Sequence, residues 1–238
     1  KFDKLGKIIE RSKYRNNSDD KTQIEETIQL PEDYRPLWLK RTSPDYRNAM
    51  HYLKGRGISI FDIIRYRIGY SENGSYSGKI IIPSYDCEGQ LNYFVSRAFY
   101  EHDSYKHKNP KVSKDIIGFD MLINWNEPII LCEGAFDAIT IKRNAIPLFG
   151  KQINPKLRIK IIEEGVKEIY ICLDQDAIKN AKHIAQTFMT EGIKVHLVKL
   201  DNDDPNELGY EKITEKIHDT YQFSFEELMQ MEINSLWK

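Results

Sequence analysis

The sequence has few cysteines and no long apolar run, and these two absences argue against a disulfide-stapled domain and a membrane-spanning protein. Its 238 residues include three cysteines, at positions 87, 132 and 172, with no CxxC pair among them. Three widely separated cysteines cannot frame a disulfide-stapled domain, so we expect reduced, mostly buried thiols and a cytoplasmic location. No apolar stretch approaches the roughly 18–20 residues that span a bilayer, so we expect no membrane partner. The first residues lack the apolar core of a secretory signal, so we expect none, and the missing initial Met suggests a trimmed or processed start.

An excess of one charge is missing as well, because 35 Lys and Arg balance 36 Asp and Glu. The balance conceals a segregation: residues 1–120 hold 21 basic and 17 acidic side chains, and residues 121–238 hold 14 and 19. Between residues 97 and 114, lysines and histidines alternate with Phe and Tyr, a mixture that can pair with phosphates and stack on bases. Such a stretch can equally be a solvated face, so composition alone leaves nucleic-acid binding as one of two interpretations.

The length corresponds to one or two domains at about 150 residues each, and four regions are distinguishable. Residues 1–29 are polar without a periodic apolar face, which favours a mobile arm or linker. Residues 30–126 form a basic lobe, in which Ser43-Pro44 predicts one helix start, Ser59 caps a second helix that ends at Gly69, and 79–84 with 91–97 predict a hairpin. Residues 209–238 form a helical segment whose amphipathic helices begin near Glu211, with an apolar stripe of Phe223, Phe225, Leu228 and Met231.

Residues 127–208 alternate short apolar strands with helical segments. This alternation predicts an α/β fold with a parallel sheet covered by helices on both faces. The predicted strands and helices are 128–132, 135–143, 146–149, 155–164, 168–173, 178–191 and 194–199.

Acidic residues follow three of the predicted strands, where functional groups of parallel sheets collect. Glu133 follows the first strand, with Asp137 one helical turn later, and Asp174 and Asp176 follow the third. Asp204 follows the last strand. Clustered carboxylates suit Mg²⁺ or Mn²⁺, although single acids in these places can also be helix caps or solubilising loop residues.

Two of these acidic elements resemble a known domain. Residues 131–138 (LCEGAFDA), followed by 173–177 (LDQDA), resemble the Toprim domain of bacterial-type primases, type IA and II topoisomerases and some nucleases. Further matches in the same order are similar to the RNA-polymerase domain of the primases in particular: 52–59 (YLKGRGIS), 66–70 (YRIGY), 81–89 (IIPSYDCEG), 95–98 (VSRA), 106–110 (KHKNP) and 204–207 (DPNE). The chain is therefore similar to a bacterial- or phage-type DNA primase catalytic core.

The resemblance implies a metal-dependent nucleotidyl transfer that joins ribonucleoside triphosphates into primers on single-stranded DNA. It assigns catalysis to Glu133, Asp174 and Asp176, metal binding to these three and Asp204, and a supporting role to Asp137. Asn206 stands where some relatives have a second acid, which puts a further metal position in doubt. The resemblance also implies that a basic ridge holds the template strand and the incoming triphosphate: Arg97, Lys106, Lys108, Asn109 and Lys114.

Two family features are missing from this sequence. Three scattered cysteines cannot build the zinc-binding module that usually opens such primases, so that module is either removed or absent. No G-x-x-x-x-G-K-[ST] loop is present, so no helicase motor is fused, although the tail could dock a replicative helicase. Divergent motifs and a Lys-, Asn- and Ile-rich composition would also suit a phage or mobile-element enzyme. Two alternatives stay open: a Toprim nuclease or topoisomerase-like enzyme, and a non-catalytic DNA-binding replication module.

Overall fold

A computed structural model describes residues 28–201 and 203–236. The predicted arm lies outside these residues except for its last two positions. The N-terminal lobe consists of a four-stranded antiparallel sheet in the order β1-β2-β3-β4 and two helices. Its elements are β1 (Tyr34–Pro36), α1 (Pro44–Gly55), α2 (Ile60–Arg65), β2 (Gly69–Ser71), β3 (Lys79–Tyr85) and β4 (Leu91–Ala98).

Both predicted helix starts of this lobe are confirmed. The Ser43 hydroxyl accepts a hydrogen bond from the Tyr46 amide, and Pro44 occupies the first turn of α1. Ser59 forms a reciprocal capping box with Asp62 at the start of α2. The prediction that α2 reaches Gly69 is wrong, because α2 ends at Arg65 and Gly69 pairs in β2. A Cβ at Gly69 would lie 2.2 Å from the Tyr34 ring, so close strand packing accounts for this glycine.

The predicted hairpin is confirmed as β3 and β4. Their antiparallel register runs from Lys79 opposite Ala98 to Tyr85 opposite Leu91, with an irregularity at Ser84 and Tyr85. The segment after β4 touches the sheet again through an isolated bridge between Arg97 and His107. This bridge places the basic loop, residues 106–110, beside the end of β4.

The second part of the chain contains a parallel four-stranded sheet in the order β6-β5-β7-β8. Its elements are β5 (Ile129–Cys132), α3 (Ala135–Ile141), β6 (Ala145–Pro147), α4 (Pro155–Glu163), β7 (Glu168–Cys172), α5 (Ile178–Thr190), β8 (Lys194–Leu197), α6 (Pro205–His218) and α7 (Phe225–Leu236). The predicted alternation of strands and helices is therefore confirmed.

Successive residues of the central strands enter two different cores. Ile130 and Cys132 of β5 pack with residues of α3 and α6, whereas Ile129 and Leu131 pack with residues of α4, α5 and α7. This alternation covers both sheet faces, as expected for parallel strands with continuous apolar sequence. The core beneath α3 and α6 also contains residues of α1, β3 and β4, so the two lobes share one apolar interior.

The tail matches its prediction in part. The element α6 consists of two helical pieces: Asp204 caps a short first piece at Pro205, and Gly209 with φ 78° breaks the helix, so the longer piece follows Gly209, in agreement with the helix predicted from near Glu211. Phe223 and Leu228 are buried and Met231 packs against the same core, but Phe225 is 60% exposed and does not belong to the apolar stripe. Within the described ranges, no helix is long and apolar enough to cross a bilayer.

Candidate active site

Three of the four acids proposed as metal ligands come together at the carboxyl edge of the parallel sheet. Glu133 follows β5 and Asp174 follows the neighbouring β7, where Cys132 and Cys172 are paired in register. Asp176 lies on a 3-10 turn, Gln175–Ala177, directly after Asp174. One carboxylate oxygen of each acid lies within 4.8 Å of the other two.

The surroundings of these acids disfavour unshielded negative charge. Burial, followed by the charge of Asp174, raises the pKa of Glu133, while the Asp174 amide opposes this by donating to Glu133 Oε1 at 3.2 Å. Burial and the charges of Asp204 and Asp176 raise the pKa of Asp174. Asp174 Oδ1 is buried and has no hydrogen-bond partner within the described part of the chain. A buried carboxylate oxygen without a partner, beside two further carboxylates, fits a divalent cation with hard oxygen ligands.

Asp137 lies deeper than the cluster and caps α3. Its Oδ2 atom accepts a hydrogen bond from the Gly134 amide at 2.9 Å, and the backbone amides of Gly134 and Asn206 both oppose the rise in its pKa. Burial, and then the charge of Asp204, raises the pKa of Asp137 to about 7. Asp137 therefore fixes the backbone amide of Gly134, the residue after Glu133, and its supporting role in catalysis stays a prediction.

Asp204 contributes to the site chiefly through its charge. It caps α6, and its Oδ1 atom accepts a hydrogen bond from the Glu207 amide at 2.7 Å. It does not belong to the group of three acids within 4.8 Å of each other, but its charge raises the pKa of both Asp137 and Asp174. A metal-ligating role for Asp204 stays a prediction.

Lys151 is a residue of this site that the sequence analysis missed. It forms an ion pair with Asp176, and its pKa is raised first by the hydrogen bond to Asp176 and then by the charges of the three clustered acids. It lies shortly after β6, at the same carboxyl edge as the acids. Functional residues of parallel sheets follow the carboxyl ends of strands, and the same expectation applied to β6 would have identified this lysine.

Two of the five predicted nucleic-acid residues line a cavity. Arg97 and Lys106 face a space of about 420 Å³, whose other lining residues are Asn48, His51, Tyr52, Ala98, Phe99, Tyr100 and Glu101. The Arg97 guanidinium is held by the Tyr52 hydroxyl, to which its Nε donates at 3.2 Å, and by His107. The cavity thus combines cationic, aromatic and polar groups.

The other three predicted residues are engaged within the protein. Lys108 Nζ donates to the Ser75 carbonyl at 2.8 Å, and Lys114 Nζ donates to the Phe149 carbonyl at 2.8 Å. Asn109 Oδ1 accepts a hydrogen bond from the Ser96 amide at 3.0 Å, which fixes the basic loop to β4. Roles in nucleic-acid binding stay predictions for all five residues.

Comparison with known proteins agrees with this architecture. The model of the Toprim-like family Toprim_2 matches residues 130–209. The uncharacterized protein MG010 of Mycoplasma genitalium is 30% identical over 193 residues, which cover 74% of this chain and 85% of the relative. Its homolog in Mycoplasma pneumoniae is 26% identical over 175 residues, which cover 68% and 82%. An expected phage origin finds no support in these bacterial relatives.

Solved structures show the same fold. The E. coli primase catalytic core superimposes with a TM-score of 0.66 at 18% identity and covers 82% of this chain and 78% of that chain. A DnaG primase catalytic domain bound to single-stranded DNA gives a TM-score of 0.64 at 18% identity, with 76% of each chain covered. The primase fragment of the bacteriophage T7 primase-helicase gives 0.54 at 18% identity and covers 69% and 73%. The fold is therefore a primase-type Toprim fold.

Proposed function

This chain belongs to the family of the Mycoplasma protein MG010, and because it carries a primase-type Toprim fold, we propose that it is the catalytic core of a DNA primase. In this proposal it joins ribonucleotides into short RNA primers on single-stranded DNA during replication. The observation that carries the proposal is the buried, unpartnered Asp174 Oδ1 within the cluster of Glu133, Asp174 and Asp176. Arg97 and Lys106 at the cavity supply cationic groups for phosphates.

Glu133, Asp174 and Asp176 would hold the metal. A bound Mg²⁺ or Mn²⁺ would stabilise the charge that develops on the attacking and leaving oxygens of the nucleotidyl transfer. Glu133 lies beside Asp174, and we expect its carboxylate to accept the proton of the 3′-hydroxyl when that hydroxyl attacks an α-phosphate. Asp204 and Asp137 strengthen the negative potential that attracts the cation.

The basic groups have separate tasks in this proposal. Arg97 and Lys106 bind phosphates of the incoming triphosphate or of the template strand. Lys151 balances the charge of Asp176 in the absence of a cation, and its 43% exposed side chain can move to a phosphate when a cation replaces it. The partners are thus single-stranded DNA and ribonucleoside triphosphates in the cytoplasm, with a replicative helicase as a further candidate.

The deciding experiment measures incorporation of labelled ribonucleotides on unprimed single-stranded DNA with Mg²⁺, with Mn²⁺ and with a chelator. We expect metal-dependent products of a few nucleotides and at least a hundredfold loss in Asp174→Asn. The matched control is Asp201→Asn, because Asp201 is an exposed acid that pairs with Lys216 at 2.7 Å. That variant should retain full synthesis.

The alternatives predict different products from the same assay. Metal-dependent cleavage of DNA without added nucleotides would replace the proposal by a Toprim nuclease. Tight DNA binding without synthesis or cleavage, unchanged in Asp174→Asn, would replace it by a non-catalytic replication module.

A further inference from the structure

A set of side-chain contacts runs from the acidic edge of the parallel sheet to the cavity that Arg97 and Lys106 line in the N-terminal lobe. It begins at Asn206, the second residue of α6, whose backbone amide is near enough to Asp137 to lower the pKa of that acid. Arg56 Nη1 donates to Asn206 Oδ1 at 2.5 Å, and Arg56 Nε donates to the Tyr52 hydroxyl at 2.8 Å. The same hydroxyl accepts a hydrogen bond from Arg97 Nε at 3.2 Å.

Arg56 is held firmly at the junction of the two lobes. Its guanidinium carbon lies 5.2 Å from the centroid of the Tyr52 ring and 4.8 Å from that of Phe136, the second residue of α3. The rings also contact each other edge to face at 6.3 Å. These contacts fix the arginine between α1 and α3, where cation–π attraction adds to the two hydrogen bonds.

The position of Asn206 explains why an amide stands where an acid was expected. Its Nδ2 atom donates to the Thr140 hydroxyl at 2.7 Å and to the Arg56 carbonyl at 3.2 Å, while its Oδ1 atom accepts from the Arg56 side chain. A carboxylate could accept but could not donate to the Arg56 carbonyl. Asn206 is largely buried, so its side-chain amide needs these hydrogen-bond partners within the protein. Its side chain therefore connects the lobes rather than facing the three clustered acids.

The charges along this path are not neutralised by carboxylates. None of the ion pairs between described residues includes Arg56 or Arg97. Arg97 is oriented instead by two neutral groups, the Tyr52 hydroxyl and His107, whose pKa is lowered by burial and by Arg97. Its full positive charge is therefore available to an anion.

We propose that Asn206, Arg56 and Tyr52 are positioning residues that hold Arg97 in the orientation in which it binds a phosphate group. The phosphate belongs to the incoming nucleotide or to the DNA strand, and this part of the inference rests on the proposed function. Asn206 anchors Arg56 to the parallel-sheet domain, Arg56 fixes the Tyr52 hydroxyl, and this hydroxyl fixes Arg97. The lobe that holds the phosphate thus keeps a set position relative to the acids.

The test is a double-mutant cycle on ligand affinity, carried out with the full chain. The variants are Tyr52→Phe, Arg97→Gln and their combination, and the two probes are a fluorescent ATP analogue and a labelled single-stranded DNA. Tyr52→Phe keeps the ring that contacts Phe136 and removes only the hydroxyl. We expect this change to weaken the binding of one probe about tenfold, because hydrogen bonds to a charged group are lost. In the Arg97→Gln background, the same change should weaken binding less than twofold. The probe that responds identifies the source of the phosphate.

Two further variants separate positioning from general stability. Tyr66→Phe is the matched control, because Tyr66 also lies beside an arginine of the same lobe. The guanidinium carbon of Arg65 is 5.9 Å from the centroid of the Tyr66 ring. We expect this variant to leave both affinities unchanged. Arg56→Lys keeps the charge but lacks the planar guanidinium that donates from Nε to Tyr52 and from Nη1 to Asn206. It should lower affinity as Tyr52→Phe does while Mn²⁺ binding at the acids is unchanged.

Several outcomes would overturn the inference. An equal loss from Tyr52→Phe in both backgrounds, or no loss at all, would show that Tyr52 does not act through Arg97. Failure of the wild type to bind either probe would overturn it as well. A wild type that binds a probe and shows the coupling, yet synthesises no primer, would instead contradict only the proposed function.

Discussion

The backbone amide of Asp174 donates a hydrogen bond to the carboxylate of Glu133 at 3.2 Å, across 41 residues of sequence. This contact joins the ends of the neighbouring parallel strands β5 and β7 and sets the spacing of two acids that repel each other. The hydrogen bond from this amide offsets part of the cost of burying the negative charge of Glu133, and a bound cation would offset the rest. The fold therefore holds the acids together before any metal is bound.

Glu133→Gln should remove metal binding without unfolding the chain. The amide oxygen of Gln can still accept the Asp174 N–H, whereas the charge that attracts the cation is lost. We expect Mn²⁺ affinity, measured by electron paramagnetic resonance titration, to fall at least tenfold and primer synthesis at least a hundredfold. Glu168→Gln, at the opposite end of β7, is the control and should change neither. Unaltered Mn²⁺ affinity in Glu133→Gln would exclude this acid as a ligand.

Lys151→Ala should tighten metal binding. Lys151 pairs with Asp176, and both side chains are substantially exposed, so removing the pair changes stability little. The loss of a cation beside the cluster should lower the Mg²⁺ dissociation constant about two- to fivefold, measured by calorimetry, with the melting temperature nearly unchanged. Lys160→Ala removes a partly exposed pair between α4 and Glu164, the residue that follows this helix, and should leave Mg²⁺ affinity as it is. Weaker Mg²⁺ binding in Lys151→Ala would contradict this interpretation.

Asp137 should make the metal-free protein less stable as the pH rises. Its pKa is about 7 in the folded chain and has the ordinary value of 3.8 when unfolded, so between these values the native state holds a proton that the unfolded state has released. The contribution of this group to the free energy of unfolding is therefore greatest below about pH 4 and declines as the pH rises to about 7. Asp137→Asn should lose this decline, so its melting temperature should fall less between pH 5 and pH 8 than that of the wild type. Equal pH dependence in both proteins would refute the assignment.

The parts of the fold that were predictable depend on local signals. Ser43 with Pro44, and Ser59 with Asp62, define helix starts within four residues of sequence, and the structure confirms both. The strand ends that hold Glu133 and Asp174 follow from continuous apolar runs, because parallel strands deliver their carboxyl ends to one edge. The helix predicted from near Glu211 follows Gly209, where a φ of 78° breaks α6, whereas no prediction covered the short helical piece that Asp204 caps at Pro205.

The parts that were not predictable depend on contacts between distant residues. Arg56 and Asn206 meet across 150 positions, and no local pattern reports that contact. Asn206 was recognised only as a missing acid, because its three side-chain partners are known only once the lobes are packed together. Lys108 and Lys114 looked equivalent to Lys106 in the sequence, yet their ammonium groups are bound to carbonyls of the chain.

Asn109 and Lys106 should therefore differ in how they affect nucleic-acid binding. Asn109 Oδ1 binds the Ser96 amide, and Ser96 is buried, so Asn109→Ala leaves a buried donor unpaired and should cost about 1–3 kcal/mol of stability. Lys106 lines the cavity beside Arg97, and Lys106→Gln should leave stability nearly unchanged. If Lys106 contacts a phosphate of single-stranded DNA, its removal also reduces the slope of log affinity against log salt by about 0.7.

These two effects are separable by measuring denaturant unfolding and salt-dependent DNA binding on the same variants. Lys111→Gln, a nearby exposed lysine outside the cavity, serves as the control for a change of charge alone. We expect Asn109→Ala to shift the unfolding midpoint with the salt slope intact, and Lys106→Gln to do the reverse. An identical salt slope in Lys106→Gln and the wild type would remove Lys106 from the strand-binding residues. A reduced slope in Asn109→Ala at unchanged stability would instead place Asn109 in direct contact with the strand.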